Sequence, residues 1–159
     1  MEMERIDRVL QAMKAKGLTQ MILCDPQSID YLTGVYVEPF ERLFALYLRT
    51  DGQHVFFLNK LFTVPKTSIP EVWFSDTDDS IGMMAQHIQA GEPLGIDKEW
   101  PARFLLPLME RLPGTPCKLA SDCVDSVRAC KDQAERELMR MNSRLNDEAM
   151  NRAVAYIQE

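Results

Sequence analysis

Histidine is scarce in this 159-residue chain, with only His54 and His87 present. A single imidazole cannot hold a transition metal, and neither ring has a carboxylate or cysteine at ligand spacing within its own segment. Both are expected as solvated side chains without a catalytic role. The four cysteines, Cys24, Cys117, Cys123 and Cys130, contain no Cys-x-x-Cys pair, which excludes a zinc ribbon and a dithiol redox centre. They are expected as free, mostly buried thiols in a reducing compartment. No stretch approaches the roughly 18 consecutive apolar residues that span a bilayer. The opening Met1-Glu2-Met3-Glu4-Arg5 lacks the basic start and apolar run of a secretory leader, so a cytoplasmic location is expected. Basic residues are outnumbered, 18 against 24 acidic, giving a net charge of −6 and a pI near 5.0. That excludes the basic stripe of a nucleic-acid binder and disfavours an anionic membrane as partner. Gly-x-Gly-x-x-Gly, the phosphate loop and the Gly-x-Ser-x-Gly elbow are all missing.

What is present suits one ordinary globular domain, 46% hydrophobic and 26% charged. Ile6, Val9, Leu10 and Met13 recur at helical spacing over 3–16, with Gly17 placed for a left-handed cap. Gln20 to Cys24 reads as a buried strand. Asp25-Pro26 opens a helix that ends near Thr33-Gly34, because Asp caps free amides and Pro suits the first turn. Leu43 to Arg49 and Val55 to Leu58 flank Thr50-Asp51-Gly52, which predicts an antiparallel hairpin. Further strands are expected at 71–74, 94–97 and 117–120. Helices are expected over about 80–90, 101–112 and 123–130. A long helix is expected from Asp132 to Glu159, with Ala134, Leu138, Met141, Leu145, Ala149 and Ala153 on one face. Such a helix needs a packing partner, since propensity alone seldom holds one in water. Strands alternating with helices, plus one hairpin, predict an α/β domain with a mixed sheet flanked by helices.

Few residues suggest chemistry. Ser28 and Ser121 have no neighbouring base, so nucleophilic catalysis lacks support. The acidic run Asp76-Thr77-Asp78-Asp79 lacks the glycine and distant glutamate of a calcium loop, and helix capping is the simpler expectation. Phe56-Phe57 and Met83-Met84 read as core. The cluster Tyr31-Leu32-Thr33-Gly34, followed by a loop and Phe40-Glu41-Arg42-Leu43, carries two readings. It is either a capped helix end with a solvated arginine, or a loop presenting an aromatic ring and a guanidinium beside a strand edge. The second arrangement suits an apolar group with a carboxylate, which arginine grips through two parallel donors.

Pro26-Gln27-Ser28-Ile29-Asp30-Tyr31-Leu32-Thr33-Gly34 resembles the Pro-x-Asn-Ile-x-Tyr-Leu-Thr-Gly segment of the creatinase/aminopeptidase P/prolidase family. Glu41-Arg42-Leu43 with the hairpin, Gly95-Ile96-Asp97, and Arg128-Ala129-Cys130-Lys131-Asp132-Gln133-Ala134-Glu135 resemble further family segments in the same order. The resemblance implies a creatinase/prolidase N-terminal domain over 1–131 with a ribonuclease H-like mixed sheet. It also implies that 132–159 begins the first helix of a "pita-bread" catalytic domain. In the family that second domain holds two divalent metals, manganese or cobalt here, through two Asp, one His and two Glu. No catalytic, metal-binding or cofactor residue is expected within this segment.

The implied parent hydrolyses Xaa-Pro peptide bonds as an Xaa-Pro dipeptidase or aminopeptidase. Its implied partners are its own catalytic domain, a second copy in a homodimer, and a proline-containing peptide. A Phe-x-Arg in creatinase reaches the neighbouring subunit's active site, and Phe40-Glu41-Arg42 stands at the matching place, implying substrate contacts in trans by Phe40 and Arg42. A creatinase-like amidinohydrolase and a stand-alone dimerisation or peptide-binding module are the alternative expectations.

Overall fold

The computed structural model describes residues 2–158. Met1 and Glu159, which the expected segments 1–131 and 132–159 include, lie outside the described residues. The chain divides into two compact units, one reaching to Val127 and the other starting at Arg128.

The first unit holds six strands: β1 (Gln20–Leu23), β2 (Ala45–Arg49), β3 (Val55–Asn59), β4 (Glu71–Phe74), β5 (Leu94–Ile96) and β6 (Cys117–Leu119). They form one sheet in the order β4-β3-β2-β1-β5-β6. β2 is antiparallel to both neighbours, while β3–β4, β1–β5 and β5–β6 are parallel. Five strands therefore run one way and β2 alone runs back. The hairpin sets this pattern, with Ala45 opposite Phe57 and Leu46 opposite Phe56 across the Asp51-Gly52 turn. The mixed sheet agrees with the sequence expectation.

Alternation along the strands supplies two cores, because successive side chains leave opposite faces. Met21, Leu23, Leu46, Leu48, Phe56 and Leu58 face one way. They meet α1 (Glu2–Ala15), α2 (Pro26–Thr33) and α5 (Asp122–Ala129) through Val9, Met13, Ile29, Leu32 and Val124. Ile22, Ala45, Tyr47, Val55 and Phe57 face the other way, onto α3 (Ser80–Ala85) and α4 (Ala102–Arg111) through Ile81, Met84 and Leu108. Helices on both faces explain why β1, β2 and β3 are apolar almost throughout rather than alternating with polar residues.

Local signals hold at α2. The Asp25 side chain accepts from the Gln27 and Ser28 amides, and Gly34 closes the helix at φ +68° with its N–H on the Asp30 carbonyl. The helix expected over 80–90 instead stops at Ala85. Gln20, fully buried on β1, competes for the backbone there. Its carbonyl oxygen accepts the Gln89 amide at 2.9 Å, and its amide nitrogen donates to the Gln89 and Glu92 carbonyls. Tyr47 Oη donates to the same Gln20 oxygen at 2.7 Å. His54 also departs from expectation: it is buried, and its Nδ1 accepts the Arg49 amide at 3.2 Å across the hairpin. Burial lowers its proton affinity, so the neutral ring is favoured. Of the thiols, Cys24 and Cys123 are buried and Cys130 is exposed.

Gly95 has a steric reason. A Cβ there would lie 3.0 Å from the Ala120 Cβ and 3.2 Å from the Met21 side chain. Asp97, just beyond β5 and 5% exposed, ties the sheet end together. Its carboxylate accepts the amides of Cys24 (2.7 Å), Asp25 (2.9 Å) and Glu99 (3.1 Å).

The second unit contains α6 (Gln133–Gln158), opened by Asp132 and Glu135 in a reciprocal capping box. Leu138, Met139, Met141, Leu145, Met150 and Ile157 are exposed along it.

Asp97→Ala leaves buried amides without an acceptor and is expected to cost about 3 kcal/mol, read by urea unfolding. Burial raises the Asp97 carboxyl above its ordinary value, against the pull of the amide bonds. The native state therefore binds the extra proton between the ordinary and the raised value. Stability contributed by this group falls as pH rises through that window and is level above it. Asp97→Asn is expected to remove this slope.

Candidate functional site

The strand directions gather the loops. The carboxyl ends of β1, β3, β4, β5 and β6 and the amino end of β2 share one end of the sheet. In open α/β sheets that end is where ligands are usually bound. There the loop from Val35 to Phe44 meets the ends of β3 and β4 around a small cavity of about 170 Å³. Arg42, Asn59, Phe74, Asp76, Arg103 and Phe104 are among its lining residues.

Phe40 and Arg42 sit in one tight turn, closed by the Arg42 amide donating to the Pro39 carbonyl at 2.8 Å. Phe40 has φ +48°, the one positive value at a non-glycine residue among the described residues. That conformation costs an L side chain roughly 1–2 kcal/mol. The ring is nonetheless 80% exposed, so no burial of its own offsets the strain. Strain of this kind clusters at functional sites.

Arg42 is not the solvated side chain of the simpler reading. Its Nε and one terminal nitrogen donate to the Asp76 carboxylate at 3.0–3.3 Å, and the other terminal nitrogen lies 2.8 Å from Glu41. Asn59 Nδ2 donates to Asp76 at 2.7 Å. Hydrogen bonds from Arg42, then Asn59, hold the Asp76 carboxyl below the usual carboxylate range. The same contact with Asp76 raises the Arg42 pKa further, so the guanidinium stays charged.

Each carboxylate of the acidic run has its own task. Asp79 caps α3 through the Gly82 amide, as capping predicts, and also pairs with Arg111 at 2.6 Å. Asp78 turns back to accept the Ser75 amide and hydroxyl. Asp76 caps nothing and belongs to Arg42. The capping expectation thus holds only for Asp79, because the other two acids precede the helix and find donors across the loop.

Asn59, Asp76 and Arg103 carry no local motif. One signal was available for Asn59: it continues the Val55, Phe57 side of β3, where a polar residue on a buried face calls for a partner. Arg103 is exposed, with its guanidinium 5.1 Å from the Phe104 ring. Ser28 Oγ donates to Asp25, and Ser121 Oγ is buried without a partner. Among the described residues no group of three or more His, Cys, Asp or Glu could hold a metal. No described helix is long and apolar enough to cross a membrane.

Arg42→Ala is expected to move the Asp76 titration upward toward the ordinary carboxylate value, followed by side-chain carboxyl NMR. The depressed wild-type value stabilises the fold above the unfolded-state pKa, and that contribution is lost as pH falls through the folded value.

A family model described as the creatinase/prolidase N-terminal domain matches residues 5–130. No protein with a curated description matches the chain. Among solved structures, the chain is similar to a prolidase from Thermococcus sibiricus, with TM-score 0.83 and 21% identity over 96% of this chain and 43% of that one. It is similar to a dipeptidase from Pyrococcus horikoshii OT3, with TM-score 0.82 and 18% identity over 95% of this chain and 44% of that one. It is also similar to a proline dipeptidase structure from Streptococcus pneumoniae TIGR4, with TM-score 0.70 and 19% identity over 79% of this chain and 98% of that one. The chain thus spans less than half the length of the two archaeal structures. With the family model covering most of its length and the sheet, capped α2 and Gly95–Asp97 strand end in place, the chain belongs to the creatinase/prolidase N-terminal domain family.

Proposed function

We propose that this chain is the N-terminal accessory and dimerisation domain of a metal-dependent Xaa-Pro dipeptidase or aminopeptidase. The observation that carries this reading is a difference in coverage. The streptococcal structure is matched almost whole, yet covers 79% of 159 residues, about 126, close to the extent of the first unit. The two long archaeal structures cover 95–96%, leaving about 6 to 8 of 159 residues unmatched. Most of the 26-residue α6 must then correspond to chain found in the longer proteins. On this reading residues 132–159 begin the first helix of a catalytic domain, and the exposed Leu138, Met141 and Leu145 are covered by that domain.

Hydrolysis then rests on a pair of divalent metals, manganese or cobalt, held by the following domain. Among this segment's described residues, no group of three or more His, Cys, Asp or Glu offers them a ligand set. Its contribution is positional, in the cytoplasm, as half of a homodimer. The turn carrying Phe40 reaches a proline-containing peptide bound by the partner copy. Phe40 supplies an apolar surface, and Arg42, charged and paired with Asp76 and Glu41, fixes the turn that presents it.

The coding sequence after codon 159 is expected to continue into a domain bearing two Asp, one His and two Glu metal ligands; a stop codon there overturns the proposal. The 159-residue segment with manganese or cobalt is expected to leave an Xaa-Pro dipeptide uncleaved, and turnover above a metal-only blank contradicts it. In the full-length protein Phe40→Ala and Arg42→Ala are each expected to raise KM about tenfold, the loss of one good contact, with kcat little changed. An unchanged KM removes the loop from the substrate site.

A further inference from the structure

Asn59 is the one buried polar residue at the cavity, 2% exposed, and both ends of its side chain are used. Its Oδ1 accepts the Leu61 amide at 2.9 Å, and its Nδ2 donates to Asp76 Oδ1 at 2.7 Å. Its backbone carbonyl accepts the Phe62 amide at 2.9 Å, so the chain turns directly after β3. Asp76 passes the constraint on. One carboxylate takes the Asn59 amide and the fork of Arg42, whose own amide closes the turn on Pro39. A single buried amide therefore connects two loop tips, one presenting Phe40 at 80% exposure and the other Leu61 at 67%.

The chemistry of the residue fits this task narrowly. An aspartate would still accept from Leu61 but would face the Asp76 carboxylate with like charge. A leucine would leave the Leu61 amide without its acceptor and Asp76 without its buried donor, with only the part-exposed Arg42 fork to hold it. Only a side chain with one donor and one acceptor on a short stem satisfies both. The ion pair alone would be a weak tether, since both partners are partly exposed to screening solvent. The buried amide is what fixes the position of Asp76, and through it the strained turn at Phe40.

We infer that Asn59 is a positioning residue: through Asp76 and Arg42 it sets the placement of Phe40, and through its own turn that of Leu61, as paired apolar contacts for a peptide ligand. The inference rests on the proposed role of the Phe40 loop, and adds Leu61 as a second contact and Asn59 as the group that aligns the two.

The test uses Asn59→Asp and Asp76→Asn. The second alters an exposed side chain and keeps the experiment open if the first disturbs folding. In each variant of this chain, the Arg42 Nε–H is expected to exchange with water about tenfold faster by NMR, while the far-UV circular dichroism is retained. Asp79→Asn, which loosens the neighbouring Arg111 pair, is expected to leave the Arg42 signal in place and separates this effect from general loosening. In the full-length enzyme, Asn59→Asp and Leu61→Ala are expected to raise KM severalfold at near-constant kcat. An Arg42 Nε–H unchanged in both variants overturns the assignment of Asn59. Faster exchange with an unchanged KM overturns the loop as a ligand contact, and the inference with it.

Discussion

A carboxylate buried at the end of β5 holds the first unit's working end together. Asp97 gathers the amides of Cys24 and Asp25, which would otherwise be stranded where β1 stops and α2 begins, and that of Glu99 just after β5. β1 pairs with β2 on one side and β5 on the other, so fixing its exit fixes the middle of the sheet. Burial opposes the ionised form and the amide dipoles favour it. Burial first, and then the neighbouring Asp97 charge, raises the Cys24 thiol, whose Sγ donates to Asp97 at 3.5 Å. Gly95 permits the arrangement by leaving Met21 and Ala120 room to close over the strand.

Strand direction then turns a structural end into a candidate site. With β2 alone reversed, the carboxyl ends of five strands and their loops converge. Three loops meet through Arg42, Asn59 and Asp76, which come from the segment before β2, the end of β3 and the turn after β4. The polar knot is satisfied internally, and what it leaves outward is apolar: Phe40 and Leu61. A surface built this way spends its charges on geometry and presents hydrophobic area to whatever it meets.

Much of the fold was legible because its signals are local. Asp25-Pro26 and Gly34 bound α2 by capping alone, and Asp51-Gly52 with its apolar flanks specifies the hairpin. The departures come from hydrogen bonds that residue type and spacing do not display. The helix expected to reach residue 90 ends at Ala85 because Gln20, more than sixty residues away, claims the backbone of Gln89. His54 is buried because its hairpin folds it back onto the Arg49 amide. Capping of α3 falls to Asp79 as the acidic run allows, while Asp76 is held by Arg42, 34 residues earlier, a pairing no local signal shows.

The sequence by itself determined the α/β class, the hairpin and the caps, since each depends on residue type at short spacing, and it carried the family through several resembling segments in order. It also singled out Phe40 and Arg42, as a ring and a cation two residues apart beside a strand. It left open whether that pair was a solvated helix exit or part of a site. Only the tertiary structure decided that Arg42 is held by Asp76, that Phe40 is strained and outward, and that Asn59 connects them. Those relations join segments 17 to 34 residues apart, and no periodicity or motif encodes a hydrogen bond across that distance.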